Sequence, residues 1–336
     1  MMSRIIECVP NFSEGVDKDI ISSITDEVAF VEGVKLLNVD PGKHANRTVV
    51  TFAGQPEAVV EAAFRAIKVA GELIDMQTQK GTHPRMGATD VCPLIPVSNI
   101  SLKETAEYAL QLARRVGEEL KIPVFLYEHS QPNKKRSNLA AIRAGEYEGF
   151  FKKIKLPAWQ PDFGPADMDA KRGATVIGAR DFLIAYNVNL NTSSVNIAND
   201  IAQQVRETGK IIIGENGKER IPGALKYVKA IGWYIEEYGK AQVSMNLTNI
   251  AATPIHKVFD EVKARAEEIG VKVTGSELIG MIPLKAMTDA GRYFLLKQGI
   301  THIVAEQKLI SAAIEGMGLD ELSPFDPAKR IIEYLI

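Results

Sequence analysis

Val34-Lys35-Leu36-Leu37-Asn38-Val39-Asp40-Pro41-Gly42-Lys43-His44-Ala45-Asn46-Arg47-Thr48-Val49-Val50-Thr51-Phe52-Ala53 is the stretch on which the fold of this chain turns. Two β-prone runs, residues 34–39 and 47–53, follow one another with a polar connection and no helical period between them. Upstream, residues 4–9 read as a short apolar strand. Asn11 and Ser13 are capping types before a helix over about residues 17–30, where Ile20, Ile21, Ile24 and Val28 share a face. Downstream, residues 57–74 carry Val60, Ala63, Phe64, Ile67 and Ala70 in one helical stripe, and residues 89–97 return to strand. The order strand-helix-strand-strand-helix-strand predicts a ferredoxin-like, split βαβ unit.

A further helix (102–120) and strand (124–127) extend this half. Residues 130–136 are polar and basic. Residues 159–173 are rich in Pro, Gly and Asp, read as the natural domain linker. The second half repeats the order: strand 182–190, helix 194–207, strands 226–233 and 241–247, a helix opened by Pro254 and running to about 269, and strand 271–278. Helical segments at 301–316 and 328–335 close the chain. The fold expected is α/β (α+β), with two tandem βαββαβ subdomains, residues 1–180 and 181–336, each with helices on one face of a mixed or antiparallel sheet.

Composition narrows the function. The 336 residues are 46% hydrophobic and 24% charged, with a net charge of −2. That balance offers no electrostatic case for nucleic acid or a membrane surface, so any anionic ligand must be held by local basic groups. Arg85, Lys134, Lys135, Arg136, Lys171 and Arg172 are the loop cations available for this. Two cysteines, Cys8 and Cys92, cannot make a disulfide framework and fit a reducing compartment as buried thiols. No apolar run approaches the ~20 residues of a membrane span. Residues 1–7 lack the apolar core of a signal peptide, and a cytoplasmic location is expected.

One segment concentrates chemistry: Lys80-Gly81-Thr82-His83-Pro84-Arg85-Met86-Gly87-Ala88-Thr89-Asp90. Pro84 biases His83 to an extended conformation, and Gly81 and Gly87 allow close backbone approach. A histidine can move protons near neutral pH. The bland alternative is a loop histidine bonded to a neighbouring carbonyl. Asp40, His44, Asn46 and Arg47 form a second polar cluster, whose bland reading is a capped loop. No zinc-type His or Cys spacing is present, so no metal is expected, and His129, His256 and His302 read as structural. No glycine-rich nucleotide fingerprint, phosphate loop or serine nucleophile elbow occurs.

Several longer motifs resemble the glutamate formimidoyltransferase family. They include Glu7-Cys8-Val9-Pro10-Asn11-Phe12-Ser13-Glu14-Gly15, Asn46-Arg47-Thr48, His83-Pro84-Arg85-Met86-Gly87-Ala88 and Asp90-Val91-Cys92-Pro93. Ala141-Ile142-Arg143-Ala144-Gly145-Glu146-Tyr147-Glu148, Pro161-Asp162-Phe163-Gly164-Pro165, Gly232-Trp233-Tyr234 and Ile331-Ile332-Glu333-Tyr334-Leu335 carry it nearly end to end. The resemblance implies transfer of a formimino group from N-formimino-L-glutamate to N5 of tetrahydrofolate, the co-substrate, by two α/β subdomains with a folate groove between them. It implies a homodimer, without the cyclodeaminase domain into which animal members continue, and with a separate cyclodeaminase as a further partner. The family's catalytic histidine falls on His83 and its folate-binding stretch on residues 164–173, which include Gly164, Pro165, Lys171, Arg172 and Gly173. Arg85 would hold a substrate carboxylate or fix the His83 loop. Asp40 or Asp90 would orient the imidazole or bond the pterin edge, with His44 beside them at the substrate. Three alternatives stand beside this: formyl transfer between 5-formyltetrahydrofolate and glutamate, a non-catalytic folate-binding scaffold, and, more distantly, a metal-dependent amidohydrolase.

Overall fold

In the first half the chain runs β1 (Ile5–Cys8), β2 (Asn11–Phe12), α1 (Lys18–Ala29), β3 (Val34–Gly42), β4 (Arg47–Gly54), α2 (Pro56–Leu73), β5 (Thr89–Ser98), α3 (Leu102–Glu119) and β6 (Val124–Leu126), then α4 (Leu139–Arg143), α5 (Glu146–Lys153) and β7 (Thr175–Ala179). The computed structural model describes residues 4–43, 45–81, 83–214 and 217–336. β1 and β2 act as one interrupted strand, since both lie antiparallel between β4 and β5. With β3 paired outside β4, the order β3-β4-β1/β2-β5 is the ferredoxin-like one that two adjacent strands and two helices dictate. β7 and then β6 add in parallel beyond β5.

Local chemistry explains the helices. The Asp17 carboxylate accepts from the N–H groups of Asp19 and Ile20 and opens α1. Pro56 stands in the first turn of α2, and Ser101 with Glu104 forms a capping box on α3. Their apolar stripes supply Ile24, Val28, Ile67 and Leu112 to a core that includes Phe52 and Leu94 of the sheet.

The second unit begins at Phe182. It runs β8 (Ile184–Leu190), α6 (Val195–Val205), β9 (Lys210–Gly214), β10 (Gly217–Ile221), β11 (Val228–Ile235), β12 (Lys240–Leu247), α7 (Ile255–Glu268) and β13 (Val273–Ile279), then α8 (Leu284–Lys297), α9 (Glu306–Met317) and α10 (Pro327–Arg330). Its sheet order, β11-β12-β8-β13, repeats that of the first unit. Tyr186, Val188, Val243 and Val258 lie in its own core. The repeat of element order is therefore a repeat of topology.

Besides α4, α5 and β7, which lie where no element was expected, three features depart from expectation. β9 and β10 form a separate hairpin inserted between α6 and β11. α8 lies where no element was assigned, although Met287, Ala290, Gly291, Phe294 and Leu295 are buried at helical spacing. The helix expected over 328–335 stops at Arg330. There the Ile282 N–H donates to the Arg330 carbonyl and the Ile332 N–H to that of Ile282, drawing Ile331 into an extended conformation.

Residues 159–173 lie within the first unit rather than between the two. Val124 N–H donates to the Phe163 carbonyl, Met76 N–H to Lys171, and Ala88 N–H to Arg172. Gly173, at φ +72°, lies so close to the His83 loop that an added Cβ would stand 2.4 Å from the Met86 carbonyl oxygen. Gly173→Ala is expected to destabilise the protein by about 3 kcal/mol, from the left-handed backbone and the contact together. Urea unfolding measures this as a lowered midpoint at constant slope; an unchanged midpoint would show that the two loops do not meet this closely.

Candidate functional site

The loop that follows α2 carries His83, and it is anchored at both ends. At its start, the Asp75 carbonyl accepts from the N–H groups of Thr78 and Gln79. At its end, the Ser13 hydroxyl donates to the Gly87 carbonyl at 2.7 Å, and Gly87 bridges to Gly173. The β3–β4 connection closes over it. Asn46, at φ +46°, donates through Nδ2 to the Lys80 carbonyl at 2.7 Å and accepts through Oδ1 from the Gly15 N–H at 2.9 Å. Gly81 passes so near that a Cβ there would lie 2.1 Å from the Ala45 carbonyl oxygen. Asn46 of the second polar cluster thus bonds to the His83 loop.

Asp90 is its electrostatic centre. It is fully buried at the start of β5. Its Oδ1 accepts from the Met86 N–H at 3.0 Å. Its Oδ2 accepts from Arg47 Nη1 of β4 and, at 2.7 Å, from Arg143 Nη2 at the end of α4. Arg47 also donates from Nε to the Asn11 side chain at 3.1 Å. The Arg143 Nε is buried and, among the described residues, has no hydrogen-bond partner. Two guanidiniums against one carboxylate leave one positive charge, with the arginine side chains only 10% and 13% exposed.

His83, half-buried, stands three residues before Met86, whose N–H bonds to Asp90. Its Nδ1 is 2.7 Å from the Pro84 carbonyl oxygen. A carbonyl only accepts, so Nδ1 carries the proton and Nε2 keeps its lone pair. Burial, and then the Arg47 guanidinium, hold the imidazole below its ordinary proton affinity, and Arg143 acts in the same direction against Asp90. The product is a neutral imidazole at pH 7, able to take a proton at Nε2.

Arg85 takes the second of the two roles expected of it. It is buried. Nε donates to Gln79 Oε1 at 2.9 Å, while Nη1 and Nη2 donate to the Glu148 carboxylate at 2.9 and 2.8 Å. This double bond to Glu148 lowers that carboxyl and raises Arg85. With all three nitrogens committed to the loop and to the first turn of α5, Arg85 fixes the His83 segment; it does not present a free clamp to a substrate carboxylate. Asp90 likewise bonds backbone and arginines rather than facing outward. Asp40 is exposed on β3 opposite Val49, and His44 lies outside the described residues.

Of the stretch at 164–173, the backbone reaches the His83 loop, but the cations serve helix ends. Lys171 Nζ donates to the Glu72 carbonyl at 2.6 Å. Arg172 donates to the Leu120 carbonyl at 2.6 Å and pairs with Asp169. Gly164, at φ +82°, packs against Ile122 and Gly117, and Pro165 is half-buried.

Sequence reasoning passed over Arg143 and the residue that sets it. Lys153 Nζ donates to the carbonyls of Ala141, Ile142 and Ala144 at 2.8, 2.6 and 2.9 Å and lies 3.9 Å from the Trp159 ring centre. It thereby fixes the end of α4 that carries Arg143, and burial brings its ammonium down to about 8. The available signal was the motif at 141–148, in which Arg143, Glu146 and Glu148 occur together. Among the described residues, no group of three or more His, Cys, Asp or Glu side chains could hold a metal ion, and no helix is long and apolar enough to cross a membrane.

Residues 5–180 match the model of the formiminotransferase domain, N-terminal subdomain, and residues 185–336 that of the formiminotransferase domain. The chain is 48% identical over 335 residues to the formimidoyltransferase-cyclodeaminase of Gallus gallus, covering all of this chain and 60% of that protein. It is 42% identical to the glutamate formimidoyltransferase of Thermoplasma acidophilum, over 92% of this chain and 98% of that one. A glutamate formimidoyltransferase of Streptococcus pyogenes serotype M1 is 41% identical, over 88% and 94%.

Asp90→Asn keeps the shape but leaves two buried guanidiniums facing each other. The expected cost is about 3–5 kcal/mol, as for other broken buried pairs. Chemical unfolding reads it directly, and a loss under about 1 kcal/mol would mean that the arginines find other partners.

Proposed function

Since the chain belongs to the formiminotransferase family, we propose that it transfers the formimino group of N-formimino-L-glutamate to N5 of tetrahydrofolate, with His83 as general acid and base. The observation that carries this is the state of His83: Nδ1–H tied to the Pro84 carbonyl, no hydrogen bond to Nε2 among the described residues, and burial with two arginines keeping the ring neutral. N5 attacks the amidine carbon, forming the N5–C bond of a tetrahedral intermediate. Nε2 takes the proton that N5 must lose. It then delivers that proton to the glutamate nitrogen as the C–N bond breaks, so that glutamate leaves as an amine. Such transfers are worth ~10²–10⁴-fold in rate. Alignment of the two substrates contributes further, with effective molarities of ~10⁵ M or above for well-oriented pairs.

The segment ending at Gly173 touches the same loop, which supports a place for the reduced folate beside His83. The setting proposed is cytoplasmic, in keeping with two free, buried thiols, Cys8 and Cys92. The assembly proposed is a homodimer, its product passing to a cyclodeaminase.

Release of glutamate from N-formimino-L-glutamate in the presence of tetrahydrofolate tests the reaction. His83→Ala should lower kcat by ~10²–10⁴-fold with the fold intact, and near-normal turnover would remove His83 from the mechanism. Faster turnover of 5-formyltetrahydrofolate with glutamate would move the assignment to formyl transfer. For pH, the free base is the active form and its proton affinity is depressed. Hence kcat/KM should fall on the acid side only below the ordinary histidine value of 6.5. An acid limb at or above 6.5 contradicts the assigned environment.

A further inference from the structure

Arg85 was expected to hold a carboxylate or to fix the His83 loop, and the structure commits it to Glu148 and Gln79. A different cation remains unspent. Arg47 and Arg143 share one carboxylate, so the pair carries one positive charge beyond what Asp90 neutralises. A buried charge without a counter-charge is costly unless something anionic completes the site. The donor groups for such a partner exist. Arg143 Nε is buried and unpartnered. Among the described residues, neither Arg143 Nη1 nor Arg47 Nη2 has a recorded hydrogen bond. Lys153 holds the carbonyls on either side of Arg143 and so fixes where its guanidinium can reach.

We propose that Arg143, with Arg47 behind it, receives the α-carboxylate of the amino-acid donor and is the residue that determines donor specificity. This rests on the transferase function proposed above. The choice of carboxylate follows from covalent structure. In N-formimino-L-glutamate the α-carboxylate is separated from the transferred carbon only by the amidine nitrogen and Cα. Arg143 shares Asp90 with the N–H of Met86, three residues beyond His83, so its guanidinium is placed at the same loop to meet that group. The glutamyl carboxylates of the folate stand beyond the aminobenzoyl ring, far from N5. A guanidinium matches a carboxylate with two parallel hydrogen bonds and is the side chain suited to this task. Bound there, the donor neutralises the site and presents its amidine to His83.

Arg143 is also the testable half of the pair, because its removal leaves Arg47 and Asp90 as a neutral couple. Kinetics with N-formimino-L-glutamate and its α-carboxamide analogue compare wild type, Arg143→Gln and Arg143→Lys. Wild type should prefer the carboxylate by roughly 10- to 100-fold in kcat/KM, the worth of a hydrogen-bonded charge. Arg143→Gln should lose that preference through the donor KM while the tetrahydrofolate KM holds, and Arg143→Lys should recover part of it. An undiminished preference in Arg143→Gln overturns the proposal. A rise in the tetrahydrofolate KM alone overturns it too, assigning the charge to the folate tail, as does a change confined to the acid limb of the pH profile. Calorimetry with L-glutamate needs no turnover: binding to wild type that Arg143→Gln loses supports the clamp, and equal binding refutes it. A chain that binds glutamate through Arg143 yet transfers no formimino group would refute the transferase reading alone.

Discussion

The buried carboxylate of Asp90 is the constraint to which the rest of the site is referred. It stands where β5 begins, in the middle of the first sheet, and binds three separate parts of the chain: Met86 from the loop, Arg47 from β4 and Arg143 from α4. Charge–charge attraction is strongest away from water, and so is the cost of leaving a charge unmatched. One carboxylate between two guanidiniums satisfies neither fully. That imbalance accompanies two observed features, a histidine held below its ordinary proton affinity and, among the described residues, a buried Arg143 Nε without a hydrogen-bond partner.

Backbone proximity does the remaining work. Gly81 lies against Ala45, and Gly87 and Gly173 lie against each other, at distances that exclude a side chain. Asn46 tolerates a positive φ and bonds to both Gly15 and Lys80. The Arg85–Glu148 pair then locks the loop to α5, whose first turn favours the acidic residues placed there. Each device ties the loop that carries His83 to another part of the first unit.

Legibility in the sequence followed the range of the interactions. The stripes of α1 and α2, the β-branched β4 and the alternation along β12 are set by neighbours a few residues away, and all were readable. His83 was readable as a candidate because Pro84 and the flanking glycines mark a shaped loop. The roles of the arginines were not. Arg85 and Arg143 are each one residue in a familiar motif. Which of them is neutralised by Glu148 and which shares Asp90 depends on partners 63 and 53 residues away. Lys171 and Arg172 were expected at the folate from their charge and from the family's stretch at 164–173; that they also bond to the carbonyls of Glu72 and Leu120, 99 and 52 residues away, could not be read locally. The shortened helix α10 likewise depends on pairing that local patterns do not encode, whereas the hairpin β9–β10 joins neighbouring runs across Gly214-Glu215-Asn216-Gly217, a local turn signal that the reading of the sequence passed over.

By itself the sequence determined the order of elements, hence the repeated βαββαβ topology, because periodicity and turn chemistry are local. It also determined the family, through motifs spread along the whole chain. Only the tertiary structure decided which cations are spent and which are free, because neutralisation is a property of distance in space. His83 was a candidate in one dimension; its tautomer, its lowered proton affinity and its neighbour Arg143 exist only in three.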